Sequence, residues 1–523
     1  MTADWKEKAA AKRAEVHKGI PQEWILPSSV LDNYDENQSV SVLEIPRRFL
    51  SDSELAITEN YSASELHNAI VSGKLTSLEV TTAFCHRAAI ATQLTNCCTE
   101  IMFEYGIERA KMLDNYLETH GKPIGPLHGV PVSLKDSFNI PGYDSTIGYV
   151  SFIGNAPKTK SSFAEFLEDN GAVFYVKTNI PQTLMTADSE NNIFGRTLNP
   201  SDLSRTAGGS SGGEGALIKL RGSILGIGTD IAGSIRIPAL CNGVYGYKPS
   251  SKVIPFEGQT SPDVPAYIGV DPCAGPLATN LEDITMLTDI LSDSDPTRYD
   301  PNSMKIDWKR PSTDKLQIGL YLGGQNDTPP ADEISSPILK LGQKLAAMGH
   351  NVIDLSAVES NLPSLFDGWE LAVKLYGINP DSETMQYIFK SGEPCIASLM
   401  ASLPPKPESP HNDIPDEVPT VRDAIKAKKQ QAETRQRWFD IFGAHKLDIL
   451  LTAGAPYVAP AHDTYGPAPY TAMWNIVDFP ALIIPLENPV GHLPAHVQVV
   501  APWLKDAKLL ASATVIQKSL SVK

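Results

Sequence analysis

Hydrophobic and polar positions divide the chain into three textures. Residues 1–60 are polar and charged. Their Ala-rich stretch at 4–17 alternates acidic and basic residues, which predicts a solvated helix stopped by Gly19 and Pro21 within an N-terminal helical arm. From Ser62 onward, helical and extended periods alternate. Ser62-x-x-Glu65 and Thr76-x-x-Glu79 are capping boxes that open two helices, the first followed by Gly73 and the second running to about residue 93. In Gly129-Val-Pro-Val-Ser-Leu-Lys135, Val130, Val132 and Leu134 fall on one face while Ser133 and Lys135 fall on the other, the period of a strand. A helix over 162–170, then Gly171, then an apolar strand over 172–177 continue the rhythm of a layered α/β sheet. The third texture, 290–440, is frequent in Pro, Asp and Ser. Its Pro-rich stretch 403–419 reads either as a solvated insertion or as the rim of a pocket. A long polar helix follows at 421–442, and 448–451 reads as another buried strand. No internal repeat emerges.

Composition narrows the class. The chain has 523 residues, 44 basic against 61 acidic, a net charge of −17, and 42% hydrophobic residues, which is a globular balance. Length alone suggests three or four domains at ~150 residues each. The excess of acid argues against nucleic acid or an anionic membrane as the main partner. Six cysteines without a CxxC pair suggest reduced thiols, neither a zinc framework nor a disulfide scaffold. The first 30 residues contain no apolar core of a signal peptide, and the longest apolar candidate, 449–460, is short and broken by Gly454 and Pro456. A cytoplasmic protein without a transmembrane segment is therefore expected.

The chemistry concentrates where glycine does. Gly208-Gly-Ser210-Ser211-Gly-Gly-Glu214-Gly-Ala216 holds five glycines in nine residues, and Gly228-Thr-Asp-Ile-Ala-Gly-Ser234-Ile-Arg236 is a second small-residue turn ending in a serine. Serines beside free backbone N–H groups suit acyl transfer, which needs a nucleophile next to an oxyanion site. The run satisfies G-x-S-x-G around Ser210 and again around Ser211, but a nucleophile elbow needs a preceding strand, and 199–205 reads as loop. Ser312-x-x-Lys315 lacks the companion motifs of its class, and no phosphate-loop pattern is present. Of eleven histidines, only His128 and His462 tempt as bases. Lys135 is the alternative. On pattern alone it is either a solvated strand end or a core lysine whose pKa desolvation would lower from about 10.4.

Taken in order, the Lys135 strand, the Ser210 loop and the Ser234 turn resemble the amidase signature family. Thr178-Asn-Ile-Pro-Gln, Asn192-Ile-Phe-Gly-Arg-Thr-Leu-Asn-Pro200, Gly275-Pro-Leu-Ala and Trp474-Asn-Ile-Val-Asp-Phe-Pro480 are similar to its fungal acetamidase-like branch. The resemblance covers about 60–520 and is firmest over 120–280. It implies an α/β fold: one large α/β/α domain over 61–523 around a mixed twisted β-sheet, with 1–60 as the arm and 290–440 as a peripheral, pocket-rim region. It implies Ser234 as the nucleophile that forms the acyl-enzyme. Ser210, following a cis Gly209–Ser210 bond, is implied as the relay, and Lys135 as the terminal base. The backbone of Ile231, Ala232, Gly233 and Ser234 corresponds to the oxyanion hole and that of Leu184 to a substrate contact. Ser211, Asp230 and Arg236 are expected to brace the loops, and Met185, Tyr470 and Trp474 to line the pocket.

The expected reaction is hydrolysis of a small, hydrophobic carboxamide to acid and amine, without metal or organic cofactor. Acyl transfer from the same acyl-enzyme, or service as a transamidation subunit, are the alternatives, and a homodimer is admitted as a further partner. Departures from the family's pattern bear on substrate rather than reaction. Ala232 stands where glycine is frequent and Ala207 where proline is. Pro494-Ala-His496-Val-Gln498 replaces Pro-x-Gly-x-Gln, and 486–493 is short.

Overall fold

The computed structural model describes residues 4–262, 269–324, 327–378, 384–402, 419–488 and 491–521. Thirteen strands occur among them: β1 (Cys98–Ile101), β2 (Pro131–Lys135), β3 (Val173–Thr178), β4 (Glu190–Asn191), β5 (Gly195–Arg196), β6 (Leu225–Asp230), β7 (Tyr245–Lys248), β8 (Cys273–Ala278), β9 (Gln317–Tyr321), β10 (Asn351–Asp354), β11 (Ile449–Thr452), β12 (Ala481–Leu486) and β13 (Ala495–Val500). Eleven form one mixed sheet in the order β1-β3-β2-β6-β8-β7-β12-β13-β11-β9-β10, and β4 and β5 pair as a separate hairpin. β3, β2 and β6 run parallel, β8, β7, β12, β13 and β11 are joined by antiparallel pairs, and β11, β9 and β10 are parallel again.

β2 and β3 are buried along their whole length, as parallel strands covered on both faces by helices must be. The capping boxes at Ser62/Glu65 and Thr76/Glu79 form, opening the helices Ala63–Val71 and Ser77–Thr95. The helix expected over 162–170 spans Ser162–Asp169, and the long polar one spans Val421–Ala444. A single large core cluster runs from Ile20 to Ile516, so the three or four domains suggested by length give way to one sheet-centred body.

The helix Trp5–His17 differs from its expected solvated state. Lys12 is only 3% exposed and pairs with Glu100 at 2.7 Å and Asp144 at 2.9 Å. Alternating charge along a helix counts only local neighbours such as Glu15, 3.1 Å from Lys12, whereas the two buried acids that also hold Lys12 are supplied by β1 and a distant loop. The stretch 290–440 contributes the edge strand β10 and its neighbour β9 as well as the helix Leu365–Tyr376, which walls the cleft described below. The Pro-rich 403–419 lies, apart from Pro419, outside the described residues. The cysteines are unpaired, with Cys395 alone incompletely buried. Among the described residues no helix is long and apolar enough to cross a membrane.

Candidate active site

Strand alternation sends Ser133 and Lys135 from β2 toward the glycine-rich loop, and both are fully buried. Lys135 Nζ donates to Ser210 Oγ at 2.8 Å and to Thr229 Oγ1 of β6 at 2.8 Å. Burial pushes the Lys135 ammonium down to about 7, against the acidic residues Asp230, Glu214 and Asp136, which pull it up to the extent that each is ionised. An amine at that value is a competent base at neutral pH.

The Gly209–Ser210 peptide is cis. Gly209 is required by space, since a Cβ there would lie 2.4 Å from the Thr186 carbonyl oxygen. Ser211 follows as the N-cap of the helix Gly212–Lys219, and its N–H donates to the Ser234 carbonyl at 3.1 Å, tying the two serine loops together. Ser234 is 8% exposed and opens onto a cleft of about 630 Å³. Among the described residues its hydroxyl makes no hydrogen bond to Ser210, so the resting structure joins Lys135 to Ser210 and leaves Ser234 turned to the cleft.

Behind Ser234 lies a buried ion pair. Asp230 and Arg236 are both fully buried. The carboxylate takes two guanidinium hydrogen bonds at 3.0 Å, the Gly233 N–H at 2.8 Å and the Ile235 N–H at 3.1 Å. Arg236 also donates to the Thr471 carbonyl, Asn475 and Gln498. Burial raises the Asp230 carboxyl, but the Arg236 guanidinium and the Asn475 amide outweigh it and hold it at about 2. These contacts tie the turn to Asp230 and Arg236. Gly233 needs its φ of +136°, and a Cβ there would fall 2.3 Å from Thr471 Oγ1.

The N–H groups of Ile231, Ala232 and Ser234 donate to no acceptor among the described residues, and all three residues line the cleft. Gly233 differs from its three neighbours: its N–H is spent on Asp230 and it does not line the cleft. The carbonyls of the same turn are pinned, Ile231 by the Tyr376 hydroxyl at 2.8 Å and Ala232 by the Thr471 hydroxyl at 2.7 Å.

Leu184, with φ of +64°, and the half-exposed Met185 line the cleft. Tyr470 and Trp474 do not, which corrects their placement as pocket walls. The helix Pro469–Ile476 is buried on every side. The Tyr470 hydroxyl donates to the Thr328 carbonyl, and Trp474 packs on Trp438 with ring centroids 5.0 Å apart. Apolar surface in the cleft comes instead from Ile231, Ile237, Trp369, Val373 and Ala468.

Sequence reasoning passed over Thr229, Thr471 and a polar corner of the cleft. There Arg196 bridges Asp463 at 2.8 Å and Glu190 at 2.7 Å, and Asp188 accepts the Asp463 N–H at 2.7 Å. Thr229 comes near Lys135 only through the pairing of β2 with β6, whose register puts Leu134 opposite Ile227. Nothing in the sequence joins 188–196 to 463. His128 accepts the Ile124 N–H and His462 donates to the Leu203 carbonyl; neither joins the lysine–serine chain. Among the described residues no cluster of three or more His, Cys, Asp or Glu is placed to hold a metal ion.

Comparison with known proteins gives the chain its relatives. The family model described as Amidase matches residues 79–510. An amidase of Gibberella moniliformis is 34% identical, covering 99% of each chain, and an acetamidase of Emericella nidulans is 34% identical over 93% of this chain and 87% of its own. Among solved structures, fatty acid amide hydrolase superposes with a TM-score of 0.89 at 28% identity, covering 100% of this chain and 96% of its own.

Proposed function

Since the chain belongs to the amidase family, hydrolases acting on carbon–nitrogen bonds, we propose that it cleaves a carboxamide through an acyl-enzyme on Ser234, with Ser210 and Lys135 as proton relay. The observation that carries this reading is the 2.8 Å contact between the buried Lys135 amine and the Ser210 hydroxyl, on a loop tied through Ser211 to Ser234, which faces the cleft.

Neutral Lys135 takes the proton of Ser210 as Ser210 takes that of Ser234. The Ser234 oxygen attacks the amide carbonyl, and the negative charge that develops is met by the unspent N–H groups of Ile231, Ala232 and Ser234. Such donors typically contribute about 3–4 kcal/mol to the transition state. The relay then runs backward: the proton passes to the departing nitrogen as the C–N bond breaks, and an ester remains on Ser234. Water, deprotonated through the same chain, releases the acid. The Ser210–Ser234 hydrogen bond forms as substrate enters, in keeping with the looser geometry of empty active sites.

The apolar walls favour a hydrophobic acyl or amine group. The printed names of two relatives, acetamidase and fatty acid amide hydrolase, bracket the chain length from short to long. A panel of primary amides from two to about sixteen carbons tests this. We expect kcat/KM to rise from acetamide into the medium-chain amides, which fill about 630 Å³ of cleft better. A maximum at acetamide would contradict the hydrophobic assignment while leaving the reaction intact. Absence of turnover on every amide would contradict the reaction.

A further inference from the structure

We propose that Glu214 is a neutral carboxylic acid in the resting enzyme, donating its proton to Ser133 rather than serving Lys135 as a counter-ion. Its functional meaning rests on Lys135 as the base; the protonation state itself does not.

The argument is a count of protons. Glu214 lies on the helix Gly212–Lys219 and is fully buried. Its Oε2 is 2.6 Å from Ser133 Oγ and its Oε1 is 2.9 Å from Thr178 Oγ1. Ser133 Oγ is in turn 2.8 Å from Ser223 Oγ, which is 3.1 Å from the Leu225 carbonyl oxygen. Each hydroxyl carries one proton, and a carbonyl carries none. The proton between Ser223 and Leu225 therefore comes from Ser223. Tyr175, whose own proton goes to the Gly222 carbonyl, offers Ser223 another acceptor on the same side. With the Ser223 proton used there, the Ser133–Ser223 contact takes the proton of Ser133. Thr178 supplies Oε1. The shortest contact, between Ser133 and Oε2, is left for a proton on Glu214. A neutral acid gives these four contacts four protons, whereas a carboxylate gives them three.

The surroundings favour the same state. A Cβ on Gly226 of β6 would fall 2.1 Å from Oε2, so the strand presses directly on the carboxyl. Burial pushes its pKa up to about 8, although Ser133, Thr178 and Lys135 pull the other way. Lys135 from β2, Tyr175 from β3 and Cys98 from β1 interact with this carboxyl. On the other packed elements, Asp230 of β6 is committed to Arg236 of the helix Arg236–Asn242. Arg87 of the helix Ser77–Thr95 is committed to Glu59, and burial holds the thiols Cys85 of that helix and Cys273 of β8 neutral. Among the described residues Lys135 is the one cation directed at Glu214, and its amine is spent on Ser210 and Thr229.

The consequence is catalytic positioning of a proton. Glu214, Asp136 and Asp230 all favour the ammonium form of Lys135. Keeping Glu214 uncharged removes one of the three and leaves the amine free to act as base.

Infrared difference spectroscopy at neutral pH, wild type minus Glu214→Gln, reads the state directly. We expect the variant to lose a C=O band of a neutral carboxylic acid, a band that moves with 13C-glutamate labelling and in D2O. Loss of a carboxylate band in its place overturns the proposal. If Glu214→Gln does not fold, the same band is sought in Thr178→Val, which removes the hydroxyl on Oε1. A shifted acid band supports the proposal, and a shifted carboxylate band or none overturns it. In the folded Glu214→Gln enzyme the acid limb of kcat/KM is expected to coincide with that of wild type. An ionised Glu214 predicts a move to lower pH by about one unit or more, because removing a negative neighbour lowers a lysine pKa. Failure of Lys135 as base would abolish the limb but leave the infrared result standing.

Discussion

Lys135 and Ser210 are joined by a contact that the sequence pattern alone left undecided. Alternation along 129–135 placed Lys135 opposite the apolar residues, which by itself reads first as a solvated strand end and only second as a buried base. What decides is the loop 208–216, folded over the strand end so that Lys135 is fully buried. Burial sets its pKa at about 7 from an ordinary 10.5, so the ammonium form grows as pH falls below that value. Activity should therefore rise from pH 6 through about 7 and level off by pH 9. A kcat/KM profile flat over this range would contradict a titrating lysine. Lys135→Ala should keep its folded circular dichroism while kcat drops by about 10²–10⁴-fold, the usual worth of a general base. Near-normal turnover would refute the role. Thr229 and Thr471 were not legible as partners, because each acts through a contact across strands or helices far apart in sequence.

At the scale of elements, β6 and the helix Arg236–Asn242 meet at a turn whose geometry depends on one buried ion pair. Asp230 gathers the Gly233 and Ile235 N–H groups, and Arg236 reaches across to Asn475 and Gln498, so four separate segments converge on it. Removing one partner strands the other without compensation. Arg236→Met should cost about 3–5 kcal/mol in urea unfolding and lower kcat with it. A loss under about 1 kcal/mol would show that the pair does not organise the turn. These two residues were legible because their motif is local. Tyr470 and Trp474 were misread because an aromatic on a helix looks the same in sequence whether it faces a cleft or a second tryptophan. Only the packing of Pro469–Ile476 against Trp438 separates the two.

Across the whole molecule, the sheet order was not legible, although the strands β2, β3 and β11 and several helices were, since pairing β2 with β6 joins stretches with no local signal. The arm was legible as a helix, yet not as a docked one, because Lys12 finds its acids on other elements. His496 is a further global feature. It is fully buried in β13, and its Nε2 accepts the Ala455 N–H. Burial depresses it from 6.5 to about 3, so between those values the unfolded chain takes up a proton that the folded chain refuses. Stability should fall as pH drops through this window, and His496→Gln should lessen the slope in denaturation midpoints measured from pH 6.5 to 4. An unchanged slope would contradict the linkage. The central claim, a covalent intermediate on Ser234, is tested most directly by mass spectrometry of the intact chain and its peptides after a fluorophosphonate. One adduct is predicted, on Ser234, absent from Ser234→Ala. An adduct on Ser210 or Ser211, or labelling that persists in Ser234→Ala, would contradict it.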